Sequence, residues 1–248
     1  MTGHAQLKLT RTAGFSLDVA FDIPEYGVTA LFGPSGCGKT TVLRCIAGLE
    51  KARGRVVVAG RVWQDDAAGI FVPTYARRLG YVFQEASLFD HLNVRQNLEY
   101  GMKRIRDADA AERLAHAVEL LGIGYLLDRR TNELSGGERQ RCAIARSLAV
   151  KPTILLMDEP LASLDNARRR EILPWLEKLR KELSIPILYV THSEEEVERL
   201  ADRVLMLSQG RKTDEGPVKD VFASRRTVGT LSAVVVEVDP DSSRMKIR

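Results

Sequence analysis

The chain has 248 residues, 44% hydrophobic and 28% charged, enough for a full α/β core with a smaller lobe. Its net charge of +4 permits a nucleic acid or an anionic membrane surface as partner and argues for neither. With no run of eighteen apolar residues, no apolar signal core at the start and three scattered cysteines without a CxxC pair, the expectation is a cytoplasmic protein that spans no bilayer and carries no disulfide framework.

Residues 4–10 and 15–23 alternate enough for a β-hairpin, with Gly14 at the turn. Residues 28–32 (VTALF) form a short apolar run that reads as a buried strand. GPSGCGKTT follows, with Gly33, Gly38, Lys39 and Thr40 fitting G-x-x-x-x-G-K-[ST]. The helical spacing of Val42, Leu43, Ile46 and Leu49 comes next. Strand, glycine loop and helix are the context of a phosphate-binding loop. Its glycines (Gly33, Gly36, Gly38) let backbone N–H groups turn toward an anion, and the helix N-terminus adds positive potential. Lys39 supplies a point charge for the phosphates, and the Thr40 hydroxyl suits Mg²⁺. The loop as a whole, from Gly33 through Pro34, Ser35, Gly36, Cys37, Gly38, Lys39 and Thr40 to Thr41, is the expected cradle of a nucleoside triphosphate. Phe15 reads equally as core or as a platform for the base.

Residues 55–63 suggest a second hairpin, so an antiparallel β lobe should flank the nucleotide. Residues 79–83 form a strand ending at Gln84. Asn93 then caps a helix over 94–102, and a second helix runs over 108–121, stopped by Gly122. Residues 85–150 therefore read as an inserted helical lobe. Ser135 N-caps a further helix whose first turn carries Gly136, Gly137 and Glu138. That pattern is either a second anion site or a plain capping box.

Residues 153–157 form an apolar strand ending in Asp158 and Glu159. Asp158 is placed to hold Mg²⁺ through water, and Glu159 to polarise an attacking water. A helix carrying Arg168, Arg169 and Arg170 follows, with Pro174 expected to kink or restart it. Residues 185–191 form another buried strand ending at His192, at the edge where ligands sit in doubly wound sheets. Glu194, Glu195 and Glu196 suit the dipole of the next helix. A last hairpin turns at Gln209 and Gly210, before a short helix over 217–222.

Taken together, the phosphate loop, Gln84, LSGGERQ at 134–140, the strand ending in Asp158 and Glu159, Asp165 and His192 make the chain resemble the ATP-binding cassette family over about residues 4–225. The resemblance implies an α/β P-loop NTPase core with an antiparallel β lobe and an inserted helical subdomain at about 85–150. The cassette itself would span 1–229. It implies ATP and Mg²⁺ as cofactors, with Thr40, Gln84 and Asp158 at the metal and with Glu159, His192 and Gln84 in catalysis. It implies a head-to-tail homodimer in which Ser135, Gly136, Gly137 and Asp165 act on the nucleotide held by the other chain's Lys39. Further partners implied are integral membrane permease subunits and, through them, a substrate-binding protein, but no nucleic acid. The protein would sit peripherally on the inner face of the cell membrane. A finer resemblance, carried by residues 60–102, 158–165 and 170–193, is to molybdate importer ATPases; sulfate, iron(III), maltose and polyamine importers share much of that frame. Residues 230–248 resemble the first strands of a C-terminal β regulatory domain that is then truncated or absent.

Overall fold

The computed structural model describes residues 3–11, 14–102, 109–229, 235–238 and 245–247, with side chains as far as residue 224. Its first half contains β1 (Gly3–Thr10), β2 (Ser16–Ile23), β3 (Gly27–Phe32), α1 (Lys39–Ala47), β4 (Arg53–Val58), β5 (Arg61–Asp65), β6 (Ile70–Phe71), β7 (Leu79–Val82), α2 (Val94–Met102) and α3 (Ala110–Leu120). Then follow α4 (Gly136–Ala149), β8 (Ile154–Asp158), α5 (Asn166–Glu182), β9 (Pro186–Thr191), α6 (Glu194–Leu200), β10 (Arg203–Ser208), β11 (Arg211–Pro217), α7 (Val218–Gly229), β12 (Val235–Val238) and β13 (Met245–Ile247).

Burial follows the sequence pattern. In β2, Leu17, Val19, Phe21 and Ile23 are buried and the residues between them exposed, as a strand with one covered face requires. In β8 and β9 every residue is buried, because helices or strands cover both faces. Ala30, Leu155, Met157, Ile187 and Tyr189 point into one apolar cluster with α2 to α7. Leu31, Ile154, Leu156, Leu188 and Val190 point into the other, with α1 and the antiparallel strands.

One sheet of eleven strands runs through the molecule in the order β6-β5-β4-β1-β2-β11-β10-β3-β9-β8-β7. The segment β10-β3-β9-β8-β7 is parallel, while β6-β5-β4-β1-β2 is antiparallel. β11 joins them, pairing antiparallel with β10 and parallel with β2. The antiparallel lobe is thus an extension of the core sheet. α2, α3 and α4 form a helical layer beside β7, with α4 packed on both of the others.

Two local expectations need adjustment. Pro174 does not restart the helix: α5 runs through it. The proline lies on the exposed face, where the carbonyl it leaves unpaired meets water. The last helix is longer than 217–222, reaching Gly229. The expected start of α3 at Ala108 lies outside the described residues, as do most of residues 230–248. Within that stretch β12 and β13 pair antiparallel in a separate two-stranded sheet.

Candidate nucleotide site

Parallel strands deliver their C-terminal ends to one edge. There β3 leads into the loop at Gly33, β9 into His192, β8 into Glu159 and β7, through Phe83, into Gln84. These four strands are neighbours in the order β3-β9-β8-β7, so side chains distant in sequence meet at the carboxyl edge of the sheet.

The loop is held tightly. A Cβ on Gly33 would lie 2.1 Å from the Leu207 carbonyl oxygen, so only glycine lets the loop leave β3 against β10. Gly38, the residue before α1, has φ 106°, a left-handed conformation that disfavours any side chain. The Gly210 amide donates to the Cys37 carbonyl at 3.0 Å and braces the loop on the β10–β11 turn. Cys37 itself is buried, a small side chain in a tight loop. The Phe15 ring packs on the outside of the loop at Gly38, with the Arg11 guanidinium 5.5 Å from its centroid.

Lys39 is only 4% exposed. Its Nζ donates to the carbonyls of Gly33 at 2.8 Å and Pro34 at 3.0 Å. An ammonium has three donors, so the loop orients the charge with two and leaves one for a ligand. Beside it the Thr40 hydroxyl donates to Asp158 Oδ1 at 2.7 Å, and the Tyr81 hydroxyl donates to Asp158 Oδ2 at 3.1 Å. Burial pushes the Asp158 carboxyl above its ordinary range, and the two hydroxyl donors pull it back. Thr40 and Asp158 are oxygen donors side by side at a phosphate loop, the chemistry Mg²⁺ prefers. Among the described residues no three His, Cys, Asp or Glu side chains converge as a protein cage for a metal.

Glu159 sits at φ 45°, left-handed for a residue with a side chain, a conformation that costs on the order of 1–3 kcal/mol. Its amide is fixed by the Val190 carbonyl at 3.0 Å. The chain turns there, and Glu159 Oε2 lies 3.2 Å from His192 Nδ1. The residues on either side of His192 are tied into a network that sequence reasoning missed. Tyr189 and Thr191 donate their hydroxyls to Glu196 Oε2 at 2.8 and 2.7 Å, and the Ser193 amide donates to Thr191 Oγ1 at 3.0 Å. Glu196 is 3% exposed, with Arg169 Nε 3.6 Å from its other oxygen. It therefore does more than favour a helix dipole. The available signal was a tyrosine and a threonine inside an otherwise aliphatic buried strand, since buried hydroxyls need partners.

Of the predicted residues outside the loop and strand ends, all but Gln84 lie elsewhere. Gln84 is at the same edge, but exposed. Ser135 starts α4 and forms a complete capping box: its Oγ accepts from the Glu138 amide at 3.3 Å, and Glu138 Oε2 accepts from the Ser135 amide at 2.8 Å. Gly136 packs so closely that a Cβ there would lie 2.9 Å from Leu164, and Gly137 faces Ile172. Asp165 N-caps α5, accepting from the Arg168 amide at 2.9 Å. Ser135, Gly136, Gly137 and Asp165 thus form a second group where α4 meets the start of α5. The structure gathers Lys39, Thr40, Asp158, Glu159 and His192 into the first.

Comparison with known proteins bears on the family of the chain. The family model described as ABC transporter matches residues 17–162. The Molybdenum import ATP-binding protein ModC of Thiobacillus denitrificans is 60% identical over 236 residues, 92% of this chain and 65% of that one. ModC 1 of Azotobacter vinelandii is 59% identical over 212 residues, 85% of this chain and 59% of the relative. The chain thus spans less than two thirds of the length of these two relatives. A dimeric structure of the ATP-binding cassette MJ0796 in a post-hydrolysis state, bound to ADP and Pi, superposes with a TM-score of 0.72 at 28% identity, covering 88% of this chain and 99% of that one. A family match over more than half the chain, joined to a phosphate loop and a strand-end carboxylate pair at one sheet edge, leads to a plain assignment: the chain belongs to the ABC transporter family.

Proposed function

We propose that this chain is the ATP-hydrolysing subunit of an ABC importer, acting as a head-to-tail homodimer beneath an integral membrane permease, with molybdate as the cargo. The observation that carries the catalytic part is the meeting of Lys39, Thr40, Asp158, Glu159 and His192 at the ends of adjacent parallel strands. The loop amides and the N-terminus of α1 receive the triphosphate, and the third N–H of Lys39 turns to its terminal oxygens. Mg²⁺ would be held by Thr40 and Asp158, with Gln84 joining, and would supply charge neutralisation at the phosphates. Glu159 accepts a proton from the attacking water, and His192 orients water and phosphate.

Ser135, Gly136, Gly137 and Asp165 belong to the same mechanism through a second copy. In one chain they form a separate group with a helix N-terminus of its own. Their part is to close on the nucleotide of a partner chain, so two chains complete two sites. A ligand shifts such a closure only by its differential affinity for the closed state, and a phosphate bridged between chains has that difference. Leu49, Tyr75, Tyr81 and Phe83 line a cavity of about 630 Å³ at the border between the core and the helical layer. Tyr75 is 90% exposed there. This groove is the proposed seat of a permease segment, and the substrate-binding protein would act through the permease.

Molybdate as cargo is supported by the similarity to the ModC relatives. The test is complementation of cells that lack their own molybdate importer ATPase. This chain should restore uptake of labelled molybdate, and Glu159→Gln should not. Uptake of sulfate in place of molybdate would change the cargo. ATP hydrolysis by the purified chain with no uptake of either would overturn the molybdate reading.

A further inference from the structure

We propose that Tyr81 is a positioning residue of the metal site, its hydroxyl fixing the plane of the Asp158 carboxylate while its ring forms part of the groove wall. The inference rests on the reading of Thr40 and Asp158 as metal ligands. Asp158 receives one side-chain hydrogen bond on each oxygen, from Thr40 at 2.7 Å and from Tyr81 at 3.1 Å. One bond fixes an oxygen but leaves the carboxylate free to turn about its own bond; two bonds on different oxygens fix the plane. Thr40 belongs to the ligand set, so Tyr81 is the holder outside it.

Sheet register explains how the phenol reaches. Tyr81 on β7 lies opposite Leu156 on β8, two residues before Asp158, and a tyrosine spans that diagonal along one face. The ring leans on Phe83, with centroids 4.3 Å apart, and Phe83 precedes Gln84. Both rings line the groove with Leu49 and Tyr75. Whatever docks there is one side chain away from the metal carboxylate.

Tyr81→Phe removes the hydroxyl and keeps the ring. The measurement is Mn²⁺ binding, by electron paramagnetic resonance, to the purified chain saturated with a non-hydrolysable ATP analogue. Alongside it runs the metal-free affinity for the analogue, with Asp158→Asn as reference. The hydrogen bond to a charged group predicts a loss of Mn²⁺ affinity of about tenfold in Tyr81→Phe, with metal-free nucleotide affinity unchanged. A wild-type Mn²⁺ affinity in Tyr81→Phe, while Asp158→Asn loses the metal, would overturn this inference alone. If Asp158→Asn itself binds Mn²⁺ like wild type, the metal reading fails first. Equal losses of metal-bound and metal-free nucleotide affinity in Tyr81→Phe would show a general packing role and also overturn the proposal.

Discussion

Lys39 shows how a single charge is prepared for work. It is nearly buried, its hydrogen-bond partners are backbone carbonyls, and a buried cation so placed is stabilised further by an anionic ligand. Lys39→Ala should therefore leave the fold intact and cut ATP affinity by at least tenfold, read by equilibrium binding of a fluorescent ATP. Near wild-type affinity would remove Lys39 from the site. Thiols give a second check at this scale. Cys37, Cys45 and Cys142 are all buried, and burial pushes Cys45 and Cys142 up to about 12. At pH 8 iodoacetamide should label none of the three quickly in the native protein and all three once it is unfolded, counted by mass spectrometry. The chemistry of Lys39, Thr40, Asp158 and Glu159 was legible because each sits inside a local pattern. Tyr81 and Glu196 were not. Their meaning lies in partners brought by the sheet, such as Asp158, 77 residues from Tyr81.

Secondary elements carry two duties at once, and α4 is the clearest case. Ser135 both caps the helix and, in the proposed dimer, faces a phosphate. Ser135→Asp separates these. Aspartate is as good an N-cap as serine, so thermal stability should change by less than about 1 kcal/mol. A carboxylate facing a phosphate should nevertheless suppress hydrolysis by two orders of magnitude or more. Normal turnover in a stable Ser135→Asp protein would leave Ser135 a cap and nothing else. Strands were readable where burial is one-sided or complete, as in β2 and β8. β11 was harder. Its pairing with β10 was legible as the hairpin at Gln209 and Gly210, but RKTDEGP is largely exposed, and nothing in it announces the further pairing with β2. The exposed position of Pro174 was equally invisible, since a proline's cost depends on whether the carbonyl it strands meets water.

The described residues join a parallel sheet edge, the proposed seat of the triphosphate, to a helical layer whose α4 terminus carries its glycines and serine in a separate group. Two copies would bring those halves together, and removal of the γ-phosphate would release them. In the proposed mechanism Asp158, tied to Thr40 and Tyr81, would be committed to the metal, while Glu159, turned toward His192 by its left-handed backbone, would be the carboxylate for water. The account stands on that division. Its most direct test is size-exclusion chromatography of Glu159→Gln with ATP and Mg²⁺, with hydrolysis followed in the same sample. The prediction is a trapped dimer, with turnover reduced at least a hundredfold, the contribution of a positioned base. Wild type should return to monomer as ATP is consumed. A monomeric Glu159→Gln that hydrolyses ATP at the wild-type rate would contradict it.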